Sequence, residues 1–193
     1  MAMPLTSVDR TAALIVIDLQ KGLLGTPTLP PTSEVIRKSA KLAAAFRKRG
    51  LPVVLVNVAA AAPGRTDIVR PKVSLPTDFK ELVPELNQQP NDILITKERV
   101  GAFLGTSLDE QLRQGGVTQV FVTGIATSSG VEATARSAYD LGYHVVLVTD
   151  AMTDRDPDNH RHSVERIFPR LGETASTEEA MKLLQALPAS PSP

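Results

Sequence analysis

The sequence contains no cysteine. That absence excludes disulfides, iron–sulfur clusters, thiolate zinc sites and thiol catalysis together, while giving no positive sign of a compartment. Net charge is missing too. The 21 basic residues balance 21 acidic ones, so the chain lacks the electrostatic footprint of a protein that binds nucleic acid or an anionic membrane surface. No apolar run approaches the roughly 18 residues of a membrane span. The opening MAMPLTSVDRTAALIVIDLQ has no basic region ahead of its apolar run, and Asp18 interrupts that run. We expect a strand there and not a signal peptide, hence a cytoplasmic setting. A G-x-G-x-x-G fingerprint is absent after this strand, where DLQKGLLG has neither the spacing nor a helix start. This argues against a dinucleotide-binding dehydrogenase.

What is present is an alternation of two kinds of segment. The runs at 12–19, 52–58, 92–97, 118–124 and 144–150 are short, continuous and β-branched, as strands buried on both faces should be. Between them, 33–50, 106–116, 129–142 and 158–168 place apolar residues at helical spacing, and three of them end at glycine. A short sixth strand is expected within RLGETAS, followed by a last helix at 177–187. Repeated βα units predict an α/β protein, with a mostly parallel sheet in the middle of three layers. At 193 residues and 42% hydrophobic content the chain suits a single domain over 1–193. The PASPSP tail at 188–193 is expected to be disordered. The long Pro-rich segment 59–85 is expected to shape a pocket edge or a subunit contact.

In such a sheet, ligands bind beyond the carboxyl ends of the strands. Asp18, Lys97, Gly124 and Asp150 occupy the predicted ends of strands 1, 3, 4 and 5. An acid and an amine there can hold each other ionised or share a proton with a substrate. The plainer alternatives are that a strand-end aspartate is a cap and a strand-end lysine a solvated terminus.

Residues 12 to about 180 resemble the isochorismatase-like hydrolases, or cysteine hydrolase superfamily. The resemblance rests on LIVIDLQKGLL, ITKERVGAFLGTSLDEQLRQGGVTQVFVTGIATSSGVEATARSAYDLGYHVVLVTDAMTD and IFPRLGETASTEE, in the family's order and approximate spacing. It implies a Rossmann-like fold with six strands in the order 3-2-1-4-5-6, and a homodimer or larger homo-oligomer. Strands 1 and 3 would lie two spacings, about 10 Å, apart, so Lys97 must reach across with its long stem. Most members use an Asp–Lys–Cys triad on amides. Asp18 matches the aspartate and Lys97 the lysine. Gly130 stands where the cysteine would be. The resemblance also places a non-proline cis peptide between Ile125 and Ala126, and aims the N–H groups of Ala126 and Gly130 at an oxygen gaining charge.

Glycine supplies nothing that attacks a carbonyl, so the acyl-enzyme route is closed. One branch of the family, the isochorismatases proper, also carries glycine here and hydrolyses a vinyl ether to pyruvate and an alcohol. The resemblance then makes Asp18 the general acid and Lys97 its orienting partner, with Gly130 clearing room for substrate or water. Protonating carbon requires an acid that stays protonated, so Asp18 should sit in a dry pocket with a raised pKa. That branch carries a histidine in the turn and a glutamine after strand 2, where this chain has ATSSG and VNVAAAA.

Further residues carry paired readings. Arg99 matches an arginine of that branch and is the candidate carboxylate contact, or else pairs with a surface acid. Gln20 and Phe103 match pocket-lining positions, although Phe103 also suits the core. Ser129 is either a nucleophile activated by Lys97 or a cap on the helix it begins. His144 begins strand 5 at the wrong edge, and His160 and His162 suit surface or packing roles. The nicotinamidase branch uses an Asp and two His after strand 2 for a metal; residues 59–85 hold no histidine, so neither metal nor other cofactor is expected. A small-molecule substrate is the expected partner, with nucleic acid and membrane excluded. Amide or imide hydrolysis by activated water or Ser129 is the rival chemistry, and a catalytically silent metabolite-binding member the rival class.

Overall fold

The computed structural model describes residues 5–67 and 74–187. Residues 68–73 of the Pro-rich segment and the tail 188–193 lie outside the described residues. The strands are β1 (Ala12–Ile17), β2 (Val53–Val58), β3 (Ile93–Lys97), β4 (Gln119–Ile125), β5 (His144–Thr153) and β6 (Glu173–Ala175). They form one six-stranded sheet in the order β3-β2-β1-β4-β5-β6, and every pair in it is parallel. Parallel neighbours cannot be joined by a hairpin, so each connection crosses over the sheet.

The helices are α1 (Thr32–Lys48), α2 (Leu108–Gln114), α3 (Glu132–Asp140), α4 (Pro157–His162) and α5 (Thr177–Ala186). They sort onto two faces by the period-2 alternation of the strands. Ala12, Leu14 and Val16 of β1 pack with Leu42 and Phe46 of α1 and Leu184 of α5. Ala13, Ile15 and Ile17 pack instead with Leu112 of α2 and Ala135 of α3. A strand buried on both faces must be apolar at every position, and all six β1 residues are buried. The helices stop where left-handed glycines leave orphan carbonyls satisfied: Gly50, Gly116 and Gly142 all have positive φ.

Three expectations are corrected. β5 does not end at Asp150 but runs on to Thr153, because its register with β4 shifts between Val122 and Gly124. The segment 129–142 opens as one wide π-helical turn over Thr127–Val131 before α3 begins. The segment 158–168 is a short α4 followed by a π turn at Ser163–Ile167 and a 3-10 turn at Phe168–Arg170. In both cases apolar spacing located a helical stretch, but the hydrogen-bond period within it follows from packing against the neighbouring turn.

Gly124 is the position where the backbone demands glycine. Its φ is 114°, and a Cβ there would collide with the backbone of Ile17. The close approach brings the end of β4 against the end of β1, directly beside Asp18.

Candidate active site

Just past β1 the chain turns through Asp18, whose φ of 56° lies in the left-handed region. Aspartate is among the few non-glycine residues that visit this region routinely. Its backbone is tied on both sides: Asp18 donates its N–H to the Val56 carbonyl, and its own carbonyl accepts from Gln20. The side chain meets Lys97 from the end of β3. Lys97 Nζ lies 2.8 Å from Asp18 Oδ2, with the side chains 2% and 7% exposed. The lysine therefore spans the width of β2, and the reading of Lys97 as a solvated strand end is overturned. A second donor of the ammonium points at the Arg99 carbonyl at 3.3 Å.

Two features set the chemistry of Asp18. Burial disfavours its charged form and pushes its pKa from 3.8 up to about 6, against the opposing pull of the Lys97 charge and hydrogen bond. Its other oxygen, Oδ1, is buried without a hydrogen-bond partner among the described residues. A buried carboxyl oxygen with no partner is a costly arrangement unless it serves a ligand.

Gly130 completes this corner. A Cβ built on it would lie 3.1 Å from Asp18 Oδ2, 3.0 Å from Ile17 Cγ2 and 3.3 Å from the Ile125 carbonyl. A side chain at position 130 would thus project straight onto the acid–amine pair, and hydrogen in its place leaves that space open. The Ile125–Ala126 peptide is cis, as the resemblance implies.

Around these groups lies a cavity of about 670 Å³ at the carboxyl ends of the strands. Asp18, Lys97, Arg99, Ile125, Ala126, Ser129 and Gly130 all line it. Its wall includes Ala60, Ala61 and Ala62, so the described part of segment 59–85 does form a pocket edge. Gln20 and Phe103 are not among its lining residues. Gln20 is fully buried, its amide nitrogen donating to the Val58 and Phe79 carbonyls and its Oε1 accepting from Val58 N–H. It pins the 59–85 segment to the sheet. Phe103 is a core aromatic, with its ring centroid 5.9 Å from that of Tyr143.

The turn residues divide unexpectedly. Ser128, not Ser129, is the engaged serine: its N–H and Oγ both donate to Asp154 Oδ2, at 2.8 and 2.7 Å. Asp154 Oδ1 in turn accepts from the N–H groups of Arg155 and Asp156. Ser129 is exposed and its hydroxyl makes no hydrogen bond among the described residues, so it does not cap the helix. Thr127 Oγ1 lies 2.8 Å from His160 Nδ1, so His160 braces the turn, which is the packing role and not the surface one. Burial lowers the pKa of His160, which favours the neutral ring.

Arg99 bonds to the Glu98 carbonyl and, among the described residues, to no surface acid. Asp154 and Arg155, both in the cavity wall, escaped sequence reasoning because β5 was expected to stop at residue 150. A strand-end rule applied at Thr153 would have found them.

Among the described residues no group of three or more His, Asp or Glu is placed to hold a metal ion. Nor is any described helix long and apolar enough to cross a membrane.

Comparison with known proteins agrees with this fold. Residues 12–179 match the family model described as Isochorismatase domain. An isochorismatase family protein of Bacillus subtilis, YwoC, is 38% identical over 179 residues, covering 88% of this chain and 92% of YwoC. The ureidoacrylate amidohydrolase RutB of Pseudomonas savastanoi is 31% identical over 185 residues, covering 80% of this chain and 76% of RutB. The solved structure of an isochorismatase family protein from Burkholderia thailandensis superposes with a TM-score of 0.89 at 40% identity, covering 93% of this chain and 98% of that one. The chain belongs to the isochorismatase family of hydrolases.

Proposed function

We propose that this hydrolase cleaves a vinyl-ether-type bond in a small metabolite by acid catalysis, without a covalent intermediate. The observation that carries the reading is Asp18 itself: a buried carboxyl raised to about 6, with Oδ2 on Lys97 and Oδ1 unpartnered. With Oδ2 facing an ammonium, the proton belongs on Oδ1. Asp18 passes it to the terminal carbon of the substrate's double bond, leaving an oxocarbenium ion. Water adds to that cation and returns a proton to the Asp18 carboxylate. The resulting hemiketal then collapses to a ketone and an alcohol. Lys97 holds Asp18 in place and stabilises its carboxylate after transfer. Gly130 leaves room for substrate or water above the acid. Arg99 contacts a substrate carboxylate, and the Ala126 and Gly130 N–H groups face oxygen that gains charge. No metal or cofactor takes part.

A second reading has a specific observation behind it. RutB, a relative at 31% identity, is an ureidoacrylate amidohydrolase. In an amidase version of this site an Asp18 carboxylate would activate water. Ser129 is the weaker nucleophile candidate, since its hydroxyl is exposed and bonded to no base among the described residues.

Incubating the protein with a panel of vinyl ethers, amides, imides and hydrazides separates the two. We expect keto-acid and alcohol from a vinyl ether, with no ammonia from any amide. Ammonia release without keto-acid would overturn the acid-catalysis reading. The same reading includes a cytoplasmic setting and a homo-oligomer; exposed Leu29, Val100 and Leu104 support the oligomer, which light scattering checks.

A further inference from the structure

Arg155 follows β5 and lines the same cavity as Asp18 and Lys97. Its backbone is fixed, and the residue is exposed to solvent. The N–H of Arg155 donates to Asp154 Oδ1 at 2.8 Å, and Asp154 is itself held by the Ser128 turn. Next to it, Thr153 Oγ1 donates to the Pro30 carbonyl, and Leu29 bridges to Asp154. Yet among the described residues the Arg155 guanidinium has neither a hydrogen-bond nor an ion-pair partner.

The charges of the cavity wall make that free fork informative. Lys97, Arg99 and Arg155 are cationic, against Asp18 and Asp154. Asp154 is already saturated by donors from Ser128, Arg155 and Asp156. Asp18 is paired with Lys97. Arg99 and Arg155 therefore line the space with no acid of their own among the described residues. Arg99 has one amino group engaged by the Glu98 carbonyl, whereas Arg155 keeps its whole planar donor set. Such a fork matches a carboxylate in bidentate geometry.

We propose that Arg155 is a specificity-determining residue, the main anchor for a substrate carboxylate, and selects small carboxylic acids over neutral molecules of the same shape. This rests on the cavity being the substrate site, as in the proposed function, but requires nothing of the proton transfer.

Binding of malonate and succinate, with malonamide and succinamide as neutral matches, tests it by calorimetry without any turnover. The wild-type protein should prefer the dicarboxylates, and the preference should shrink as salt is raised. Arg155→Gln should weaken dicarboxylate binding by about tenfold, the scale of a lost charge-assisted contact. It should leave the diamides unchanged. Arg155→Lys should recover part of the loss, because charge persists without the fork. Arg99→Gln should cost less than Arg155→Gln. A wild-type protein that shows no preference for the acids, or an Arg155→Gln variant that binds them as the wild type does, overturns the proposal. Asp18→Asn is the control that keeps the two readings apart: it should abolish turnover while leaving the Arg155-dependent preference in place.

Discussion

Two of the lysine–aspartate pairs among the described residues, one at the end of β3 and one on β5, differ in ways that matter for a site. Lys38 and Asp150 meet at 3.1 Å with side chains 22% and 34% exposed. Lys97 and Asp18 meet at 2.8 Å with side chains 2% and 7% exposed. Asp150 is also satisfied elsewhere, since its Oδ1 accepts from both the N–H and the hydroxyl of Thr177 at the start of α5. It joins α1, β5 and α5, as a cap should. Asp18 has one oxygen on Lys97 and the other, among the described residues, on nothing. Solvent-exposed pairs contribute about 1 kcal/mol or less, whereas removing one partner of a buried pair costs several. The more exposed pair thus serves the fold, and the buried one retains an incompletely satisfied acid in the cavity wall.

Breaking the buried pair should give the largest effect. Asp18→Asn removes the transferable proton and should lower kcat by about a thousandfold, within the range of general-acid contributions. Steady-state kinetics with circular dichroism as a folding control checks this; an Asn variant near wild-type activity would remove Asp18 from the chemistry.

Next comes Gly130→Ala. A methyl 3.1 Å from Asp18 Oδ2 crowds the acid and the space above it, and should reduce kcat/KM by about tenfold to a hundredfold. The helical preference for alanine, about 0.5–1 kcal/mol, offsets the crowding in the folded state, so urea midpoints should move little. A large drop in midpoint would assign Gly130 to packing.

The pH profile sharpens the comparison through its sign. An acid catalyst must be protonated, so kcat/KM should be flat below the Asp18 pKa of about 6 and fall above it, approaching tenfold per pH unit. Lys97 lowers that pKa, so Lys97→Met should move the limb to higher pH while weakening the fold. A limb that stayed still would show that another group governs the profile. If Asp18 instead works as a base on water, the profile runs the opposite way and rises through the same region.

The exposed pair should respond in the complementary way. Asp150→Asn should cost about 1 kcal/mol of stability by removing the lysine contact and weakening the α5 cap, with turnover within about twofold of wild type. Smallest of all, Ser129→Ala should change neither, given its unbonded hydroxyl. A loss beyond roughly a hundredfold would restore the serine route.

Much of this arrangement was readable from residue order. Both-sided burial demands continuous apolar strands, so β1, β2, β4 and β5 stand out as β-branched runs; β3 reads the same way although, at the sheet edge, its Leu94 and Thr96 are exposed, and the strand ends name Asp18 and Lys97. The family words extend this to Gly130 and the strand order. Other assignments required coordinates. Gln20 and Phe103 occupy pocket positions of the family motif, yet one amide is consumed by the backbone of 58 and 79 and the ring belongs to the α2–α3 face. Local sequence does not state which of two faces a loop residue will meet. The register shift in β4–β5 is likewise a pairing property of two distant strands, and it moved the strand end from Asp150 to Thr153.

The sequence by itself determined the alternating elements, the absence of a thiol and the identity of the acid and the amine, because these depend on period, composition and strand ends. Only the tertiary structure decided that Lys97 reaches Asp18 across β2, that one carboxyl oxygen is left without a partner among the described residues, and that Asp154 anchors the turn. Those outcomes depend on desolvation and on contacts between segments far apart in the chain, which no local pattern encodes.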